Sequence, residues 1–97
     1  MIGDQGNLAI INKEQVTFNI YPNPAKGQFT IEVEGEFEGT RTISVLDANG
    51  RTVLLDKWPE GVNSRTFSTV KMPLGIYFVH IKEGDNKLPV QKLVLID

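Results

Sequence analysis

The sequence predicts an all-β domain, an antiparallel two-sheet β-sandwich of about seven strands, and three observations carry that expectation. Apolar and polar residues alternate over several short stretches, most cleanly in Gln28-Phe29-Thr30-Ile31-Glu32-Val33-Glu34. Clusters of Gly, Pro, Asn and Asp interrupt the chain about every 8–12 residues. No stretch beyond about 10 residues carries a helical period.

Residues 1–15 read as a linker or leader, with Gly3 to Asn7 flexible in composition and Leu8-Ala9-Ile10-Ile11 a short edge strand. Val16-Thr17-Phe18-Asn19-Ile20 alternates, with Val16, Phe18 and Ile20 facing one way. Tyr21-Pro22-Asn23-Pro24 then stops it, because a proline has no N–H and holds its predecessor in extended geometry. The chain is expected to leave the sheet here in a stiff corner. After Ala25-Lys26-Gly27, the strand 28–34 turns Phe29, Ile31 and Val33 inward. Gly35 to Gly39 is an acidic turn with Phe37 as a lid.

Thr42-Ile43-Ser44-Val45-Leu46 and Thr52-Val53-Leu54-Leu55 flank Asp47-Ala48-Asn49-Gly50, a hairpin with Gly50 at the left-handed position. Asp56 to Asn63 is a longer connection carrying Trp58, and Arg65 to Val70 is a further strand. The strand around which the others are expected to pack is Leu74-Gly75-Ile76-Tyr77-Phe78-Val79-His80-Ile81. Its period of two sets Tyr77, Val79 and Ile81 against the other layer and leaves Ile76, Phe78 and His80 partly covered. Pro73 and Gly75 make the turn that opens it, Gly75 through close approach or a positive φ. Glu83 to Lys87 is a second hairpin tip. The closing stretch Val90-Gln91-Lys92-Leu93-Val94-Leu95-Ile96 ends in four consecutive apolar residues, so it is buried on both faces or exposed and adhesive. The whole has the size and strand count of an immunoglobulin-like sandwich.

Ninety-seven residues make one domain, which buries roughly 60–65 % of its unfolded surface. The chain has no cysteine, which excludes disulfides, thiolate metal sites and cysteine nucleophiles. A net charge of −2 argues against a nucleic-acid partner. No apolar run approaches the roughly 20 residues of a membrane span, so no membrane insertion is expected. No basic start leads into an apolar segment, so any export information is expected elsewhere in a longer protein.

Candidate chemistry is sparse. His80 is the only histidine, and neither a nucleophile nor an orienting group is fixed beside it. Asp47-Ala48-Asn49-Gly50 has the start of a calcium loop but lacks the later oxygen ligands, and turn chemistry explains the same residues. Glu34, Glu36 and Glu38 could serve acid–base chemistry, or form a solvated rim that guards a sheet edge, the commoner use. Trp58 is either a platform for a sugar ring or a cap on the core, and Tyr77 belongs to the core. These residues point to no enzyme and to no cofactor.

Three motifs in register form a pattern. Tyr21-Pro22-Asn23-Pro24-Ala25 leads into an alternating strand, and Val45-Leu46-Asp47 precedes Gly50-Arg51. Met72-Pro73-Leu74-Gly75-Ile76-Tyr77-Phe78-Val79 precedes a hairpin and a terminal strand containing Lys92. In this order and spacing, residues 16–96 closely resemble the type A C-terminal sorting domain of proteins exported by the type IX secretion system of Bacteroidota. The family's motif positions fall on Pro22, Asn23 and Pro24, on Gly75 and Tyr77, and on Lys92. Met72-Pro73-Leu74 stands where Leu-Pro-Ala is commoner, and one terminal lysine stands where the family often has two or more.

The resemblance implies a non-catalytic signal domain, residues 16–97, joined to an N-terminal cargo domain through residues 1–15. An outer-membrane translocon would recognise it and a cell-surface sortase would remove it, so its cargo would be secreted or held at the cell surface, via the periplasm and outer membrane. The recognition residues are then expected among Tyr21, Pro22, Asn23, Pro24, Gly75, Tyr77, Lys92, Leu93, Val94, Leu95 and Ile96. Gly75 and Tyr77 are expected to serve the fold more than contact, and the terminal strand is a candidate for addition to a partner's sheet edge. The alternative is an accessory carbohydrate-binding or adhesive sandwich of a secreted multidomain enzyme, for which Trp58 is the one fair platform.

Overall fold

The computed structural model describes residues 16–97, so the expectation of an edge strand at Leu8–Ile11 lies outside the described residues. Within them the chain forms eight strands: β1 (Phe18–Lys26), β2 (Gln28–Val33), β3 (Arg41–Asp47), β4 (Thr52–Trp58), β5 (Ser64–Ser68), β6 (Gly75–Glu83), the short β7 (Asn86–Lys87) and β8 (Gln91–Leu95). They make a sandwich of two sheets. One sheet holds the first half of β1 with β2 and β5. The other runs β4-β3-β6-β8 and takes in the second half of β1, with β7 paired to β6.

The proline corner is where β1 changes layer. Its antiparallel ladder with β2 runs from Phe18↔Val33 to Tyr21↔Thr30, lapses over the prolines, and resumes at Lys26↔Gln28. Pro22 and Pro24 have no N–H to offer β2, and both of their preceding peptide bonds are cis. Within the lapse Ala25 pairs with Leu95 of β8, in parallel, while the neighbouring pairings are antiparallel. The strand therefore leaves one sheet as expected, but it continues into the other instead of ending.

The core lies between the layers. Phe18, Ile20, Phe29, Ile31 and Val33 meet Ile43, Val45, Tyr77, Val79, Ile81, Leu93 and Leu95, all buried. The alternation predicted for β1, β2 and β6 is the alternation observed. Phe67 stacks on Phe29 at 5.4 Å between ring centroids and helps close the β5 side.

Four expectations change. Trp58 lies at the end of β4 rather than in the connection expected over 56–63; its ring is fully buried and its Nε1 donates to Asp56 Oδ2 at 2.9 Å, so of its two readings the core is the one observed. The strand expected over 65–70 is β5, Ser64–Ser68, because Thr69 to Met72 form a turn in which the Met72 N–H donates to the Thr69 carbonyl. The terminal apolar run alternates after all: Leu93 and Leu95 are buried while Ile96 is 45 % exposed, as strand geometry demands of one face in and one face out. Finally, Phe37 covers the Arg41 guanidinium, 6.0 Å from its ring centroid, rather than lying over the core.

The turns explain two of the sequence motifs. Asp47 Oδ1 accepts the N–H groups of Asn49 and Arg51, both at 2.9 Å, and Gly50 sits at φ +87°. These bonds, the Arg51 N–H first, hold the Asp47 carboxyl below its usual pKa although its partial burial opposes them. The turn reading replaces the calcium loop. Gly75 has φ +141° with open space where a Cβ would stand, so it is needed for backbone conformation and not for close approach. Two residues later the Tyr77 hydroxyl donates back to the Pro73 carbonyl, the arrangement known in these sandwiches as a tyrosine corner.

The opposite end is tied by a buried ion pair that the sequence reading missed. Arg41 Nε donates to Glu83 Oε2 at 2.9 Å, and its other nitrogens reach Asn63 Oδ1 at 2.7 Å and the carbonyls of Val62 and Gly35 at 3.2 Å each. The signal was parity: Arg41 continues the inward row Ile43-Val45, and Glu83 continues Tyr77-Val79-Ile81.

Two stability outcomes follow, both readable by urea unfolding. Tyr77→Phe, which loses only the hydroxyl's bond, should cost about 1 kcal/mol, and Tyr77→Ala about 3–5 kcal/mol. Glu83→Ala, which leaves a buried guanidinium without its carboxylate, should cost about 3–5 kcal/mol, whereas Glu36→Ala on the exposed turn should stay within about 0.5 kcal/mol.

Candidate functional site

Pro22 and Pro24 leave Asn23 as the one residue of the corner with both a backbone donor and an amide side chain. That side chain takes over the lost ladder. Asn23 Nδ2 donates to the Lys92 carbonyl at 2.8 Å, and Asn23 Oδ1 accepts the Val94 N–H at 3.1 Å. One step along, the Ile96 N–H donates to the Ala25 carbonyl at 2.9 Å. Lys92, Val94 and Ile96 are alternate residues, so a side-chain amide and a backbone carbonyl complete the edge of β8 as a strand would. Gln91 Nε2 extends the same edge to the Phe18 carbonyl.

The other edge of β8 pairs with β6 from Val79↔Gln91 to Gly75↔Leu95. Both edges are therefore engaged, and the expectation that β8 adds to a partner's sheet is overturned for the folded domain. A strand offers a template only where its N–H and C=O groups are unpaired.

The expected site residues come together in three neighbouring ribbons. The corner 21–24 borders β8, and β8 borders the start of β6 with Gly75 and Tyr77. Their exposure divides them. Tyr21, Pro22, Asn23, Pro24, Lys92 and Ile96 are exposed and Val94 is half-buried. Tyr77, Leu93 and Leu95 are buried, and Gly75 is half-buried beside Leu95. The first group is a surface of fixed outline; the second holds that surface in place.

This arrangement carries little reactive chemistry. The described residues include no group of three or more His, Cys, Asp or Glu that could hold a metal ion. His80 faces outward on β6, opposite Ser44. Glu36 and Glu38 are exposed, and Glu34 Oε2 accepts from Asn19 Nδ2 at 3.1 Å, a solvated rim as the commoner reading held.

The clasp can be tested directly. Asn23→Ala should lower stability by about 1–2 kcal/mol and should speed hydrogen exchange at the Val94 amide. The Ile96 amide, bonded to Ala25, should lose much less protection. Asn23→Asp should do no better, because a carboxylate cannot donate to the Lys92 carbonyl.

Among curated proteins none matches this sequence. Among solved structures the chain is similar to a crystal structure of an immunoglobulin-like protein from Pseudomonas aeruginosa. The identity is 10 %, the match covers 87 % of this chain and 94 % of that one, and the TM-score is 0.47. The pattern of a family described as "Secretion system C-terminal sorting domain" matches residues 19–96, a span that holds the proline corner, the tyrosine corner and the terminal strand together. On that match the chain belongs to the secretion-system C-terminal sorting domain family.

Proposed function

We propose that this domain is the C-terminal signal of a protein exported by the type IX secretion system, read by shape at the surface where the proline corner meets the terminal strand. The observation that carries this reading is the Asn23 clasp, which ties two family motifs, far apart in sequence, into one rigid outline. A signal of this kind must fold independently and hold its contact groups in fixed positions, since ordering them on binding would weaken recognition. The prolines lower the conformational freedom of the corner before any partner arrives.

In this reading the partners are the outer-membrane translocon, which engages Tyr21 to Pro24 with Lys92, Val94 and Ile96, and a cell-surface sortase, which separates the domain from its cargo. Gly75, Tyr77, Leu93 and Leu95 act on recognition only through the fold. The attached cargo passes from the periplasm across the outer membrane and is released or joined to lipopolysaccharide. Gly3 to Asn7 is the stretch whose composition suits cutting.

The test is a reporter with an export signal, fused ahead of residues 8–97 and expressed in a host that carries this secretion system. The reporter should reach the cell surface or the medium. Deleting 92–97 would also remove Leu93 and Leu95 from the core, so the sharper variant is Lys92→Ala with Ile96→Ser, both on the exposed side. The expected result is a folded domain whose reporter accumulates in the periplasm; export at the level of the unaltered fusion would overturn the reading.

A further inference from the structure

The outer face of the β4-β3-β6-β8 sheet has a charge pattern that nothing above uses. Cross-strand register puts Lys57, Thr42, Lys82 and Lys87 in one row, Leu55, Ser44 and His80 in the next, and Thr52, Leu46, Phe78 and Lys92 in a third. Ile76 and Val94 close it. Four lysines thus share a face on which, among the described residues, no strand position carries a carboxylate. The carboxylates of these strands, Asp47, Asp56 and Glu83, share the inward parity and pair with Arg51, Arg65 and Arg41. Among the described residues every ion pair is made by an arginine.

Two features set this face apart from ordinary solvated lysines. Lys82 and Lys87 stand directly opposite each other in the ladder, a like-charge pairing that weakens a sheet. Beside them a groove of about 240 Å³ is lined by Thr42, Ser44, Leu46, His80, Lys87 and Val90, so apolar and hydroxyl-bearing side chains share it with a lysine. Much of the domain's acid lies elsewhere: Glu32 is on the other sheet, and Glu34, Glu36 and Glu38 follow it in the adjoining turn, while Asp85 stands at the tip between β6 and β7.

We infer that this face docks an acidic polypeptide segment, its carboxylates on Lys57, Lys82, Lys87 and Lys92 and its apolar side chains on Leu46 and Phe78. Charge complementarity assigns the sign of the partner. The groove and its hydroxyls favour a polypeptide over a lipid surface, because a membrane-binding face needs apolar side chains that project beyond the backbone. Here Leu46, Phe78 and Val94 are half-buried within the pleat, and the exposed Leu55 and Ile76 stand two strands and two rows apart, so they form no single projecting apolar patch. The surface overlaps the proposed export signal only at Lys92 and Val94, and the inference does not depend on that signal being read.

The experiment uses the 97-residue chain, isotope-labelled, with amide shifts followed during titration. The probe is the acetylated, amidated heptapeptide Glu-Val-Glu-Leu-Glu-Val-Glu; its counterpart has glutamine for each glutamate. Saturable shifts are expected at Ser44, Phe78, His80 and Lys82 with the acidic peptide only, weakening as salt rises. Lys57→Glu with Lys82→Glu and Lys87→Glu should weaken binding roughly ten-fold or more, while Lys71→Glu, in the turn before β6 and off this face, should not. Both variants replace exposed side chains, and the amide spectra report whether each variant folds. Shifts that are absent, that fall elsewhere or that occur equally with the glutamine peptide would overturn the inference. So would binding confined to anionic phosphatidylglycerol vesicles, or shifts at this face produced by raising the protein's own concentration. Because the readout is binding by the isolated domain, failure here leaves the export assay unaffected, and failure of export leaves this binding measurable.

Discussion

The constraint on which this structure turns is the loss of two backbone donors in three residues. Pro22 and Pro24 make a regular ladder impossible, yet the last strand needs a partner on that side. Asn23 resolves both with one amide, donating to Lys92 and accepting from Val94. Because the same residues carry β1 from one sheet to the other, the clasp also joins the two layers. The corner is therefore both the least regular stretch of the domain and the one that holds its ends together.

The remaining motifs hold the sandwich on either side of that clasp. At one end the Tyr77 hydroxyl reaches back to Pro73, and Gly75 takes a backbone conformation that a side chain would oppose. At the other, Arg41 gathers Glu83, Asn63 and two loop carbonyls, so loops distant in sequence share one buried cation. Between them the core is ordinary close-packed hydrocarbon, which accounts for stability but not for recognition. The polar ties add what hydrocarbon packing does not, a fixed outline for the surface around them.

Much of the fold was legible because a β-strand writes its orientation into its sequence. Phe29-Ile31-Val33 and Tyr77-Val79-Ile81 alternate, and they point where alternation says they must. The proline corner and the terminal strand were legible as stretches and illegible as an arrangement. Nothing in Tyr21-Pro22-Asn23-Pro24 says that its amide will meet a strand some seventy residues later, since that pairing depends on which edge β8 presents. The end of β4 was hidden for a related reason: the neighbours of Trp58 are loop-like, yet it closes the strand and turns its ring into the core. The four terminal apolar residues misled because their outward members are hydrophobic too, which hides a period of two.

By itself the sequence determined an all-β sandwich without cysteine chemistry, the turns at Asp47 to Gly50 and at Pro73 to Gly75, and the inward rows of the core. These depend on local sterics and on burying apolar side chains, and both act over a few residues. Only the tertiary structure decided that β1 serves two sheets, that Asn23 closes the edge of β8, that Arg41 meets Glu83, and that four lysines share one face. Each of those depends on strand order and register, which are set by how the layers pack together and are not encoded in any single stretch of the chain.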